Sequence, residues 1–91
     1  MRLALAPLRG KRVPVVARFA GVSRKGHVIL KDVRTVSGQC QYVWIPFEDW
    51  KGPLQFPGAE VRFQATVREY YSDGRNEFDF GLTAIEIEAR S

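Results

Sequence analysis

The sequence predicts an all-β domain, and three observations carry that expectation. Apolar and polar residues alternate with a period of two along most of the chain, which puts one face of a strand on a core. β-Branched and aromatic residues dominate those stretches, and they suit a pleated, half-buried surface. No long window repeats apolar residues every three to four positions, as an amphipathic helix would.

A single domain spans residues 1–91, and its first ten residues, basic and apolar, read as a flexible arm of it. Met1 to Leu8 is short, is broken by Pro7 and lacks a small-residue cleavage site, unlike a signal peptide. The first strand is expected over Val13–Val22. Val13, Val15, Ala17 and Phe19 share a face there, and Arg18 points the other way. Pro14 has no amide hydrogen and places that end at a sheet edge or before pairing begins. Ser23-Arg24-Lys25-Gly26 is a basic turn. The second strand runs from His27 to about Val36, with its facing left open, and Ser37-Gly38 turns the chain. The third strand spans Gln41–Phe47, with Val43, Ile45 and Phe47 on one face and Tyr42 and Trp44 on the other.

Pro46 to Gly58 holds Pro46, Pro53, Pro57, Gly52 and Gly58. Glu48 to Lys51 can form one helical turn, and Pro53 prevents a longer helix. Phe47, Trp50, Leu54 and Phe56 are expected to plug one end of the core. The fourth strand, Glu60–Tyr71, alternates Val61, Phe63, Ala65 and Val67 with Arg62, Gln64, Thr66 and Arg68. Arg62 and Arg68 are expected to face the acids of the last strand. Ser72 to Asn76 is a hairpin loop, with Asp-Gly as its turn signal. The fifth strand runs from Glu77 to about Glu88. Its apolar parity flips from Phe78, Phe80 and Leu82 to Ile85 and Ile87, which one extra residue near Thr83-Ala84 explains.

Three strands, a connector and a two-stranded hairpin give the order of a small five-stranded Greek-key barrel of the oligonucleotide-binding (OB) type. An SH3-type barrel is the alternative, but its strands are usually shorter than the fourth strand here. A chain of 91 residues buries roughly 60–65% of its unfolded surface, and 45% apolar content suffices for one core. Cys40 is the only cysteine, so no internal disulfide forms and a reducing compartment, the cytoplasm, is expected. No window holds the ~20 apolar residues of a membrane span.

The net charge of +4 conceals an uneven distribution. Residues 1–34 carry nine cations against one acid, a balance of +8; residues 35–91 carry five cations against nine acids, a balance of −4. A domain charged this way attracts and orients polyanions, and nucleic acid is the commonest polyanion. Solvated basic residues without a partner are the plainer alternative.

Binding a single strand of nucleic acid needs cations along the phosphates and exposed rings for the bases. Small barrels of this type usually bind across the second and third strands, flanked by the first turn and the last hairpin loop. Here that surface carries Tyr42 and Trp44, with Arg18, Lys31 and Arg34 on adjacent strands and Arg24 and Lys25 in the first turn. Tyr70, Tyr71 and Arg75 lie at or in the last hairpin loop. Each has a structural alternative. Trp44 can pack under the connector, Tyr42 across strands, and one of the adjacent Tyr70 and Tyr71 inward. Lys31 and Arg34 can pair with Asp32 as surface ions worth roughly 0–1 kcal/mol.

Catalysis finds little support. His27 is the only histidine and has no nucleophile beside it in a motif. No metal-ligand spacing or phosphate-binding glycine loop occurs, so no catalytic residue, metal or cofactor is expected. The competing function is a protein-interaction module or a homodimer, since exposed aromatics and an acidic last strand also suit a protein partner.

Several stretches together carry a family resemblance: LRGKRV (Leu8–Val13), ARF (Ala17–Phe19), VILKDVR (Val28–Arg34), VWIP (Val43–Pro46) and PGAEVRFQATVREY (Pro57–Tyr70). Residues 8–71 thereby resemble a family of small proteins encoded by bacterial plasmids, phages and other mobile elements. The resemblance implies an OB-type barrel and little about activity. The chain departs from the family pattern in a short first turn. It also has Ser37-Gly38-Gln39-Cys40-Gln41 in place of an acidic segment with an Asp-His pair.

Overall fold

A computed structural model describes residues 3–50, 52, 54–72, 74 and 76–87. Five strands form one antiparallel sheet: β1 (Arg12–Val22), β2 (His27–Thr35), β3 (Gly38–Pro46), β4 (Glu60–Ser72) and β5 (Glu77–Ile87), in the order β3-β2-β1-β4-β5. The sheet curls strongly into a half-barrel. Its edge strands β3 and β5 come within 8 Å of each other at Cα, and no ladder pairing joins them among the described residues. Among the described residues no helix is long and apolar enough to cross a membrane.

The alternation read from β1 and β4 is the alternation observed. Val13, Val15, Ala17 and Phe19 on β1 and Val61, Phe63, Ala65 and Val67 on β4 are all buried. Val28, Leu30 and Val33 from β2, Val43 and Ile45 from β3, and Phe80, Leu82 and Ile85 from β5 complete the core. Removing the fully buried Phe63 would cost about 3–5 kcal/mol through lost transfer energy and the cavity left behind.

Two bulges set which way the outer strands face. Between Gln64 and Thr66 the β4–β5 register shifts by one residue, and Ala84 has φ +52. That extra residue is why Leu82 and Ile85 both point inward. The Arg12 guanidinium donates to the Ala84 carbonyl at 2.7 Å and so ties the bulge to β1. The second bulge lies in β2, where the β1–β2 register shifts between Val16 and Arg18 and Asp32 has φ +50. It settles the facing of β2: Val28 and Leu30 point inward before it, Val33 after it, and Lys31 and Arg34 outward on either side.

Four expectations are corrected. Leu3–Leu8, read as part of an arm, forms a 3-10 turn whose Leu5 and Leu8 are buried in the core. The connector plugs the barrel only through Trp50, which packs edge-on against Phe63 with ring centroids 5.7 Å apart. Phe47, Leu54 and Phe56 are exposed instead, because β3 ends at Pro46 and Phe47–Asp49 turns away as a 3-10 segment. Phe78 is exposed as well, opposite Tyr71 and beyond the last residue pair that β4 makes with β1. Arg62 pairs with Glu60 of its own strand at 3.0 Å rather than with the last strand. The neighbour of Glu86 is Arg12, at 3.2 Å.

Candidate nucleic-acid interface

The outer face of β1, β2 and β3 is built in rows that run across the strands. One row holds Tyr42, Lys31, Arg18 and Glu60 as successive partners on β3, β2, β1 and β4. The next row holds Gln39, Arg34, Val16 and Arg62. On the other side, Trp44 faces Ile29, and Ile29 faces Gly21. The pairing register, with its shifts in β1–β2, puts these positions on the face opposite Val43 and Ile45. Tyr42 is 52% and Trp44 51% exposed, so both rings present their surfaces to solvent rather than to the core.

Arg24 and Lys25 are exposed in the β1–β2 turn. The turn is closed by Ser23 N–H to the His27 carbonyl at 2.8 Å and Gly26 N–H to the Ser23 carbonyl at 3.1 Å. The Ser23 hydroxyl also accepts the His27 N–H at 3.1 Å. Phe47 N–H donates to the Gly26 carbonyl at 2.8 Å. That bond fastens the end of β3 to the turn and sets Arg24 and Lys25 at the Trp44 end of the face.

The cations are not equally available. Arg34 lies 3.8 Å from Glu60, which also holds Arg62. Arg9 pairs with Glu69 at 3.5 Å. Arg18 donates to the Gly58 carbonyl, a neutral partner, at 3.0 Å. Arg24, Lys25 and Lys31 have no ion-pair partner among the described residues. Acids of β4 and β5 therefore compensate much of the basic N-terminal charge. Among the described residues Lys11 and Arg68 have no ion-pair partner either, beside Val67 and Gly81, so the uncompensated charge is shared between that end of the sheet and the face that carries Tyr42 and Trp44.

Tyr70 and Tyr71 do not join this face. Glu60 is the β4 residue level with Arg18. Tyr70 lies ten residues further along, about 33 Å of extended strand. Tyr70 is half-buried against Gly81. Tyr71 is exposed and meets Phe78 edge-on, with centroids 5.2 Å apart. Arg75 lies outside the described residues.

Three contributors were not read from the sequence as part of this face. His27 tilts against Trp44, with ring centroids 6.2 Å apart; its Nδ1 is buried without a hydrogen-bond partner. Phe47 extends the exposed aromatic surface past Pro46. Glu60 takes up two arginines. The Glu60-x-Arg62 spacing hinted at the second of these pairs, because residues two apart on a strand share a face. The first depends on register across three strands. Among the described residues no three His, Cys, Asp or Glu side chains converge on a metal position. No protein-family model, curated protein or solved structure matches this chain.

Proposed function

We propose that this protein is a small non-catalytic barrel of the OB type that binds single-stranded nucleic acid with little sequence preference. The supporting observation is the pair Tyr42 and Trp44, both turned to solvent on one strand, with Lys31 and Arg18 at the next positions across the sheet. Rings take the bases and cations take the phosphates. Stacking is tolerant because every base has a π-face.

The strand order supports the fold part of the proposal. β1 lies between β2 and β4, and the two edge strands approach each other, as in a partly open five-stranded barrel. The likeness of residues 8–71 to small proteins of mobile elements agrees with it.

Titration with an oligothymidine tests the proposal through intrinsic fluorescence. Trp44 is exposed and Trp50 buried, so quenching reports on Trp44. Quenching is expected at low salt and lost at high salt. Arg18, Arg24, Lys25 and Lys31 set a slope of log K against log salt of about −3 for a single strand. No quenching, or quenching indifferent to salt, would overturn the proposal.

A further inference from the structure

The connector between β3 and β4 leaves Phe56 73% exposed on a segment that is firmly tied down. Gly58 N–H donates to the Phe19 carbonyl at 2.7 Å, Phe19 N–H to the Ala59 carbonyl at 2.8 Å, and Ala59 N–H to the Phe56 carbonyl at 3.1 Å. The Arg18 guanidinium adds a bond to the Gly58 carbonyl. An apolar ring is thus exposed on a turn that is itself bonded to the Arg18 guanidinium.

Because Phe19 pairs with Ala59, the Phe56–Ala59 turn continues β4 alongside the end of β1, one step past Glu60, the partner of Arg18. The turn is therefore level with the row of Trp44, Ile29 and Gly21. Three strand spacings separate Trp44 from the turn, about 14 Å, within reach of about four nucleotides, the lower end of what one OB fold holds. Glu60 stands beyond Arg18 on β4, and its carboxylate repels a phosphate that continues that way. The track of positive charge therefore ends at Arg18, whose guanidinium is bonded to the Gly58 carbonyl, two residues from Phe56.

We infer that Phe56 is a second stacking platform of the proposed interface. The strand crosses the sheet with bases on Trp44 and Tyr42, phosphates over Lys31 and Arg18, and its last base on Phe56. The site then holds about four nucleotides. This inference rests on the nucleic-acid proposal above and adds to it the path and the length of the ligand.

A length series separates the two. Oligothymidines of two to eight nucleotides are titrated against the parent, Phe56→Ala and Phe56→Tyr. Parent affinity is expected to climb up to about four nucleotides and then level off. Phe56→Ala should match the parent on the dinucleotide and bind the six-nucleotide oligomer at least fivefold more weakly. Phe56→Tyr should restore parent behaviour. If the parent binds and Phe56→Ala follows it at every length, or loses affinity equally at every length, the inference falls and the interface stands. If the parent binds no oligomer, both fall.

Discussion

Two regions of this protein expose aromatic pairs, and they are built differently. Tyr42 and Trp44 sit two residues apart on β3 with their faces open to solvent and with Lys31 and Arg18 alongside. Tyr71 and Phe78 are direct cross-strand partners at the end of the β4–β5 hairpin. Their rings meet edge-on, and the Tyr71 hydroxyl is tied to Asn76 Oδ1. The second pair packs on itself, with Glu69 and Glu77 close by in sequence; the first is half exposed on the sheet face, with Trp44 meeting His27. Exposure of rings is common to both regions. Charge and ring geometry separate a surface suited to polyanions from one that stiffens a ribbon.

Paired double variants give the largest expected difference. Removing Tyr42 and Trp44 together should cost about 2–6 kcal/mol of oligothymidine affinity at about 1–3 per stacked base, at least thirtyfold. Circular dichroism should show the fold retained, since both rings are on the surface. Removing Tyr71 and Phe78 should leave affinity unchanged while lowering stability by about 0.5–1.5 kcal/mol for the lost ring pair, read in a urea titration. Equal loss of affinity in the two doubles would erase the distinction between the regions.

A smaller effect of opposite sign tests the charge side. Glu60 holds Arg62 at 3.0 Å and Arg34 at 3.8 Å. Glu60→Gln removes the carboxylate that compensates both. Oligothymidine binding should tighten a few-fold, and the salt slope should steepen by about 0.7 for each cation released. Stability should fall by no more than about 1 kcal/mol, as these are exposed pairs. Weaker binding would show that Glu60 helps to position its arginines rather than masking them. The same substitution should leave the hairpin region untouched, which the urea midpoint of a Tyr71→Ala background would register.

Sequence alone carried the strands well and the site in part. β1 and β4 were legible because Val13–Phe19 and Val61–Val67 each keep one parity against a core. The β5 bulge was legible because apolar residues flank it on both sides, so the change from Leu82 to Ile85 is visible. The β2 bulge was not, because Lys31 and Asp32 are both polar and only Val33 betrays the shift. Tyr42 and Trp44 could be placed outward from Val43 and Ile45 alone. The ion pairs of Arg34 with Glu60 and Arg12 with Glu86 could not be read, since each depends on register between strands distant in sequence. Phe47, Leu54 and Phe56 misled because apolar composition says that a residue prefers burial, while a loop broken by prolines decides whether it can reach the core.

The two bulges extend the contrast to its smallest effect. Ala84 and Asp32 both adopt left-handed backbone, at φ +52 and φ +50. Alanine has no means of offsetting the strain, about 1–2 kcal/mol, whereas aspartate tolerates this region through local hydrogen bonding. Ala84→Gly should therefore stabilise the protein by up to about 1 kcal/mol after the entropy of glycine in the unfolded chain is counted. Arg12 can still grip the residue 84 carbonyl, and nucleic-acid affinity should not move. Asp32→Gly should change stability by less, and it should not weaken oligothymidine binding either, because glycine preserves the bulge. Asp32→Val is the informative partner. A β-branched residue resists positive φ, and losing the bulge would drive either Val33 or the Lys31–Arg34 pair to the wrong face. Affinity should then fall together with stability in this variant, whereas the destabilised Tyr71→Ala, Phe78→Ala double should lose stability alone. Equal affinity in Asp32→Val and the parent would mean that the outward turn of Lys31 and Arg34 has no bearing on binding.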